Sequence, residues 1–113
     1  YYDDFELLAD TEQIEMVLIN LIKNAIEAMD KKISPKLKIK IQVSENLRLI
    51  EISDNGSGIE PEAVEKIFIP FYTTKKTGSG IGLSLSRQIM QMHGGNLKVH
   101  SEVGKGSAFQ MYF

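Results

Sequence analysis

The sequence contains no cysteine. That excludes a disulfide framework, a thiolate nucleophile and any Cys-based metal site, and it fits a reducing compartment. There is no surplus of positive charge either. A formal net charge of -2 over 113 residues gives no support to nucleic-acid binding, which shows itself as a basic surplus or patch. No apolar run approaches the roughly 20 residues needed to span a bilayer, and no signal-peptide pattern opens the chain. What is present is the make-up of one soluble globular domain, 42% hydrophobic and 25% charged, long enough to bury one core. The chain starts abruptly at Tyr1 and stops on an apolar strand, so the expectation is a single domain, residues 1–113, excised from a longer protein.

Periodicity organises the rest. Phe5 to Leu8 is short and apolar, as in a strand. Asp10 with Gln13 three residues on forms a capping box. From there Ile14, Val17, Leu18, Leu21, Ile22, Ala25 and Met29 recur at helical spacing, and Ser34-Pro35 ends the element. Leu37, Ile39, Ile41 and Val43 alternate with polar residues, the pattern of a half-buried strand. Glu45-Asn46 turns the chain into a partner strand over Leu47–Ser53. A short helix over Pro61–Ile67 and a Thr/Lys/Gly-rich lid over Ile69–Ser79 follow. A second long helix places Ile81, Leu85, Ile89 and Met92 on its buried stripe and stops at Gly94-Gly95. Strands around Leu97 and Val99, and around Phe109, Met111 and Phe113, flank the turn Gly104-Lys105-Gly106. The fold class expected is α+β: a two-layer α/β sandwich whose mixed, mostly antiparallel sheet is covered on one face by helices.

Three stretches carry chemistry. Thr73 to Leu83 contains Gly78, Gly80 and Gly82, with Lys75 and Lys76 just before them. Glycines that turn backbone amides outward, two ammonium groups and a helix N-terminus describe a place to hold phosphates. Glycines alone describe a solvated loop equally well.

The first helix carries Gln13, Asn20, Asn24, Glu27 and Lys31 on one stripe, within about 60° of each other at 100° per residue. Two Asn in a helix interior cost about 1 kcal/mol in propensity. A solvated face would have been made more easily from Lys or Glu. A neutral amide oxygen can instead complete the shell of Mg²⁺ while phosphates supply the charge. Lys23 lies beside this stripe, within reach of a phosphate.

Asp54, at the end of the second strand, has the same parity as Ile50 and Ile52 and so points toward the covered face. A carboxylate there needs a donor partner. The exocyclic amine of adenine is a donor, whereas the corresponding group of guanine is an acceptor, so hydrogen-bond type alone selects adenine. Gly56 and Gly58 let a flat base approach the backbone. Asp-Asn-Gly is also a common plain turn.

Taken in order, these pieces resemble the catalytic ATP-binding domain of bacterial sensor histidine kinases, of the wider Bergerat-fold group that includes gyrase, Hsp90 and MutL. The matching segments are Asn20-Leu-Ile-Lys-Asn24-Ala-Ile-Glu27 (N box) and Asp54-Asn-Gly56-Ser-Gly58 (first glycine box). Ile67-Phe68-Ile-Pro70-Phe71 (F box), Gly78-Ser-Gly80-Ile-Gly82-Leu (second glycine box) and Gly104-Lys-Gly106-Ser107 (third) complete the set. The resemblance implies that Asn24 binds Mg²⁺, with Asn20 and Lys23 near the phosphates as the catalytic set. It implies that Asp54 bonds the adenine amine, helped by a water shared with Ser107. Gly56, Gly58, Ile59, Phe71, Lys75, Lys76, Gly78, Gly80, Ile81, Gly82 and Leu83 would complete the nucleotide site. Phe68 and Phe71 would anchor the lid, with core packing an equal alternative. Ser107 stands where Thr is usual, and the first sheet strand is shortened.

Hydrolysing members of the group place a Glu four residues before the Mg²⁺-binding Asn. In this chain that position is Asn20, which cannot accept a proton. The implied function is donation of the γ-phosphoryl group to a histidine on a separate dimerisation domain, and from there indirectly to a response regulator. His93, at a helix end, and His100, on a strand, do not lie in such a hairpin. The resemblance further implies a cytoplasmic domain, monomeric alone, within a homodimeric parent that an inner-membrane anchor could hold. The alternatives are an ATPase or clamp of the same fold and a degenerate nucleotide-binding scaffold.

Overall fold

A computed structural model describes residues 11–32, 34–72 and 82–113. The expected strand at Phe5–Leu8, the Asp10 cap and, of the expected Ile69–Ser79 lid, residues 73–79 lie outside the described residues. Among the described residues four strands form one sheet: β1 (Leu37–Val43), β2 (Arg48–Asp54), β3 (Asn96–Glu102) and β4 (Gly106–Tyr112). Their order is β1-β2-β4-β3, and each of these three pairings is antiparallel. Helices α1 (Thr11–Ala28) and α3 (Gly82–Met92) pack against each other and against the sheet, while the single turn α2 (Pro61–Val64) sits beside β3.

Register explains where the core is and where it ends. On the helix-covered face, Ile41, Ile50, Met111 and Leu97 form one row across the four strands. Ile39, Ile52, Phe109 and Val99 form the next. Val17, Leu21 and Ala25 of α1 and Ile89 and Met90 of α3 close over these rows. The third row reads Leu37, Asp54, Ser107 and Ser101. Hydrophobic floor therefore gives way to polar floor at one end of the sandwich, because side chains two residues apart on a strand share a face.

Two expectations about burial are corrected. β1 is exposed along its whole length, and Ile41 reaches 62%. Alternation identifies the face that points toward the helical layer, but α1 and α3 pack over β2, β3 and β4 rather than over this edge strand. In α3 the stripe is rotated. Leu85 and Met92 are 43% and 68% exposed, whereas Ser86, Ile89 and Met90 are buried. The rotation puts a hydroxyl into the interior, which is tolerable only because it is paired: Asn20 Nδ2 donates to Ser86 Oγ over 3.1 Å.

The glycines at the end of α3 stop it as expected. Gly94 takes φ +81°, its amide bonds to Gln91 O over 3.0 Å, and the Gly95 amide bonds to Met90 O over 2.9 Å, the two bonds of a Schellman cap. α2 stops three residues earlier than expected. Its chain continues in turns, with the Ile67 amide still bonded to Ala63 O.

Candidate functional site

The polar row forms the floor of the candidate site. Asp54 is the last residue of β2, half-buried, opposite Ser107 of β4. Its Oδ1 accepts the Gly56 amide over 2.8 Å. Burial pushes its carboxyl above the usual carboxylate value, and the backbone amides of Gly56 and Ser107 oppose that rise. The carboxylate is thus held in a fixed orientation, with one oxygen committed to the backbone.

Residues 55–60 form a loop wedged between α1 and the β3–β4 hairpin. The Ser57 amide reaches Ala28 O over 3.3 Å, and the Gly104 amide reaches Ser57 O over 2.9 Å. Glycine is required in this wedge. A Cβ at position 56 would lie 2.5 Å from Ala28 O, and one at 58, where φ is +78°, would lie 2.3 Å from Glu102 O. Asn55 ties the loop to the other side, accepting from the Lys36 amide and donating to Ser34 O, each over 2.9 Å.

A hydroxyl pair, Ser107 buried and Ser101 half-buried, completes the floor. Ser107 Oγ and Ser101 Oγ are 2.8 Å apart, and Ser101 Oγ also accepts the Ile59 amide over 2.8 Å. Motif reading misses Ser101, although its parity with Leu97 and Val99 puts it on the covered face. It misses Ser86 as well, because a hydroxyl counts there as a surface residue.

At the opposite wall, α1 presents Asn20 and Asn24, both half-buried, and the exposed Lys23. Asn20 lies against the start of α3, where a Cβ on Gly82 would sit 2.5 Å from its Oδ1. The Ser86 bond fixes which way that carboxamide points. Leu83 and Ile59 pack against the core beneath. A cavity of about 380 Å³ opens along α1, lined by Glu12, Glu15, Met16, Ile19, Asn20 and Lys23. It shares Asn20 and Lys23 with the expected set, and Asp54 is not among these residues.

The F box divides. Phe68 is half-buried, packs against the core and carries the Arg87 guanidinium 4.3 Å over its ring. Phe71 is 75% exposed at φ +70°, unlike Phe68. Lys75, Lys76, Gly78, Gly80 and Ile81 lie outside the described residues. His93 caps its own helix, with Nδ1 2.8 Å from Ile89 O, and His100 is exposed.

An antiparallel sheet with helices on one face, ending in a carboxylate and a glycine-built wedge, has the form of an ATP-binding α+β domain. The chain belongs to the family described as histidine kinase-, DNA gyrase B- and HSP90-like ATPases, which matches residues 9–113. Sensor protein FixL of Bradyrhizobium diazoefficiens is 39% identical over 105 residues, 92% of this chain and 21% of that protein. Signal transduction histidine-protein kinase AtoS of Escherichia coli is 42% identical over 106 residues, 91% of this chain and 17% of that protein. The chain therefore spans about a fifth of the length of these curated relatives. The catalytic domain of histidine kinase ThkA superposes with a TM-score of 0.79 at 37% identity, over 92% of this chain and 67% of that one. The mycobacterial sensor histidine kinase MprB, at 22% identity and TM-score 0.82 over 95% of this chain and 75% of that one, shows the same fold. Among the described residues no helix is long and apolar enough to cross a membrane.

Proposed function

We propose that this chain is the catalytic domain of a sensor histidine kinase. In this reading it binds Mg-ATP and donates the γ-phosphoryl group to a histidine on a separate dimerisation domain. The observation that carries the reading is the polar row of Asp54, Ser107 and Ser101 at the edge of an otherwise apolar floor. A half-buried carboxylate held by Gly56 suits a ligand that brings its own donor, and the adenine amine is such a donor.

The other wall would take the triphosphate. Asn24 would hold Mg²⁺ through its side-chain oxygen. Among the described residues no three His, Cys, Asp or Glu side chains gather, so the negative charge around the cation would come from the phosphates. The cation would neutralise charge developing on the transferred group. Lys23, Lys75 and Lys76 would add positive charge, and Gly82 would present the N-terminal amides of α3.

Asn20 decides against water activation. A carboxamide cannot take a proton from water, and its Nδ2 is already given to Ser86. The γ-phosphoryl group therefore waits for an acceptor. In the transfer, an imidazole nitrogen of the partner domain bonds to the γ-phosphorus, the bond to the β–γ bridging oxygen breaks, and ADP leaves. The domain supplies positioning and charge. His93 and His100 take no part.

The test mixes this chain, radiolabelled ATP and Mg²⁺ with a dimerisation domain from a related sensor kinase. Label on the partner's histidine, with none on the isolated chain and little free phosphate, is the expected result. Steady release of phosphate without a partner would overturn it.

A further inference from the structure

Ser101 belongs to none of the motifs that define the family resemblance, yet its hydroxyl is where three parts of the site meet. Its oxygen accepts the Ile59 amide of the glycine loop over 2.8 Å. It lies 2.8 Å from Ser107 Oγ and 3.1 Å from Gly106 O. A serine hydroxyl has one proton, and two oxygens compete for it. If Ser101 donates to Gly106 O, Ser107 donates to Ser101 and turns only lone pairs outward. If Ser101 donates to Ser107, the Ser107 proton is released toward the ligand side. The pair can thus offer a donor or an acceptor without moving a heavy atom.

We infer that Ser101 is a positioning residue for nucleotide binding, setting the direction of the Ser107 proton and fixing the glycine loop through Ile59. The inference rests on the nucleotide-site reading above and adds a residue to it. Ser101 acts through Ser107 and the Ile59 amide, and makes no contact of its own with the base. Because both hydroxyls serve one hydrogen-bonded unit, their removal is not additive.

The test titrates a fluorescent ATP analogue into the wild-type chain and into S101A, S107A, S101A/S107A, S101T and D54A. S101A is expected to bind about tenfold more weakly, as loss of one or two neutral hydrogen bonds predicts. The double variant should lose about the same factor, not the roughly hundredfold of independent sites. S101T keeps the hydroxyl on a strand-compatible side chain and should bind within about twofold of wild type. The amide resonance of Ile59 should move in S101A and return in S101T. Should S101A not fold, S101C, of similar size but a weak hydrogen-bonder, is read in its place. Binding by S101A within twofold of wild type, or full multiplication in the double variant, overturns the inference while D54A still separates binding from its absence. If the wild-type chain binds no nucleotide, the function reading itself has failed.

Discussion

Replacing Asp54 by asparagine should do more than weaken binding: it should change which purine is accepted. In the structure Oδ1 accepts the Gly56 amide over 2.8 Å. In D54N the carboxamide oxygen would stay on that donor, since turning the amide over would set two donors against each other. The new NH₂ group would then occupy the place of the second carboxylate oxygen. An adenine amine arriving there meets a donor, whereas a 6-oxo purine meets the partner it needs. Loss of one hydrogen bond to a charged acceptor costs about 1.5–3 kcal/mol, or about 10- to 150-fold in ATP affinity. Inosine triphosphate should gain relative to ATP, so the preference reverses.

Calorimetric titration of both nucleotides into wild type and D54N measures this directly. ATP affinity in D54N within twofold of wild type would refute the reasoning. The same substitution has a second signature in the free protein. Burial raises the Asp54 pKa in the folded state above its unfolded value near 3.8. Between those two values the folded state holds more proton, so stability falls as pH rises through that window. At neutral pH the ionised carboxylate is a net burden, and D54N should melt higher than wild type. That advantage should shrink as pH falls through the same window and be gone below the unfolded value. ATP binding by wild type should also weaken as the carboxylate becomes protonated.

Removing the carbonyl of Asn24 in N24A should abolish the Mg²⁺-dependent part of ATP affinity while leaving metal-free binding nearly unchanged, which titrations with and without Mg²⁺ resolve. Two glycines at positive φ should respond differently to alanine. Gly94 has open space around it, so G94A should cost only the left-handed strain of about 1–2 kcal/mol in urea denaturation. At Gly106, φ is +129° and a Cβ would lie 2.0 Å from Asp54 O. G106A should exceed that cost clearly or prevent folding. The Asn20–Ser86 bond should appear in a double-mutant cycle of N20A and S86A as a coupling of about 1 kcal/mol in stability. Additive single effects would show that the two helices are not strapped there.

How much of this is legible in the sequence depends on which physical signal each feature leaves. Within the rows Ile41–Ile50–Met111–Leu97 and Ile39–Ile52–Phe109–Val99, alternation and the turn residues between strands make the strands and the two hairpins readable, but the β2–β4 pairing that joins the hairpins leaves no such local signal. Parity alone places Asp54 on the covered face, and the structure agrees. What alternation cannot say is whether a helix lies over a given strand, hence the exposed β1. Nor can hydropathy place Ser86 inside, because a hydroxyl's burial depends on its partner Asn20, 66 residues away. Ser101 escapes motif reading for the same reason: its partners, Ile59 and Ser107, meet only through the fold.

The measurement that bears most directly on the central claim is a structure of this chain with a non-hydrolysable ATP analogue and Mg²⁺. The adenine amine should lie within hydrogen-bond distance of Asp54, ordered above the Asp54–Ser107–Ser101 row, with the cation on Asn24. A base lodged elsewhere, or phosphates and metal away from α1, would contradict the claim.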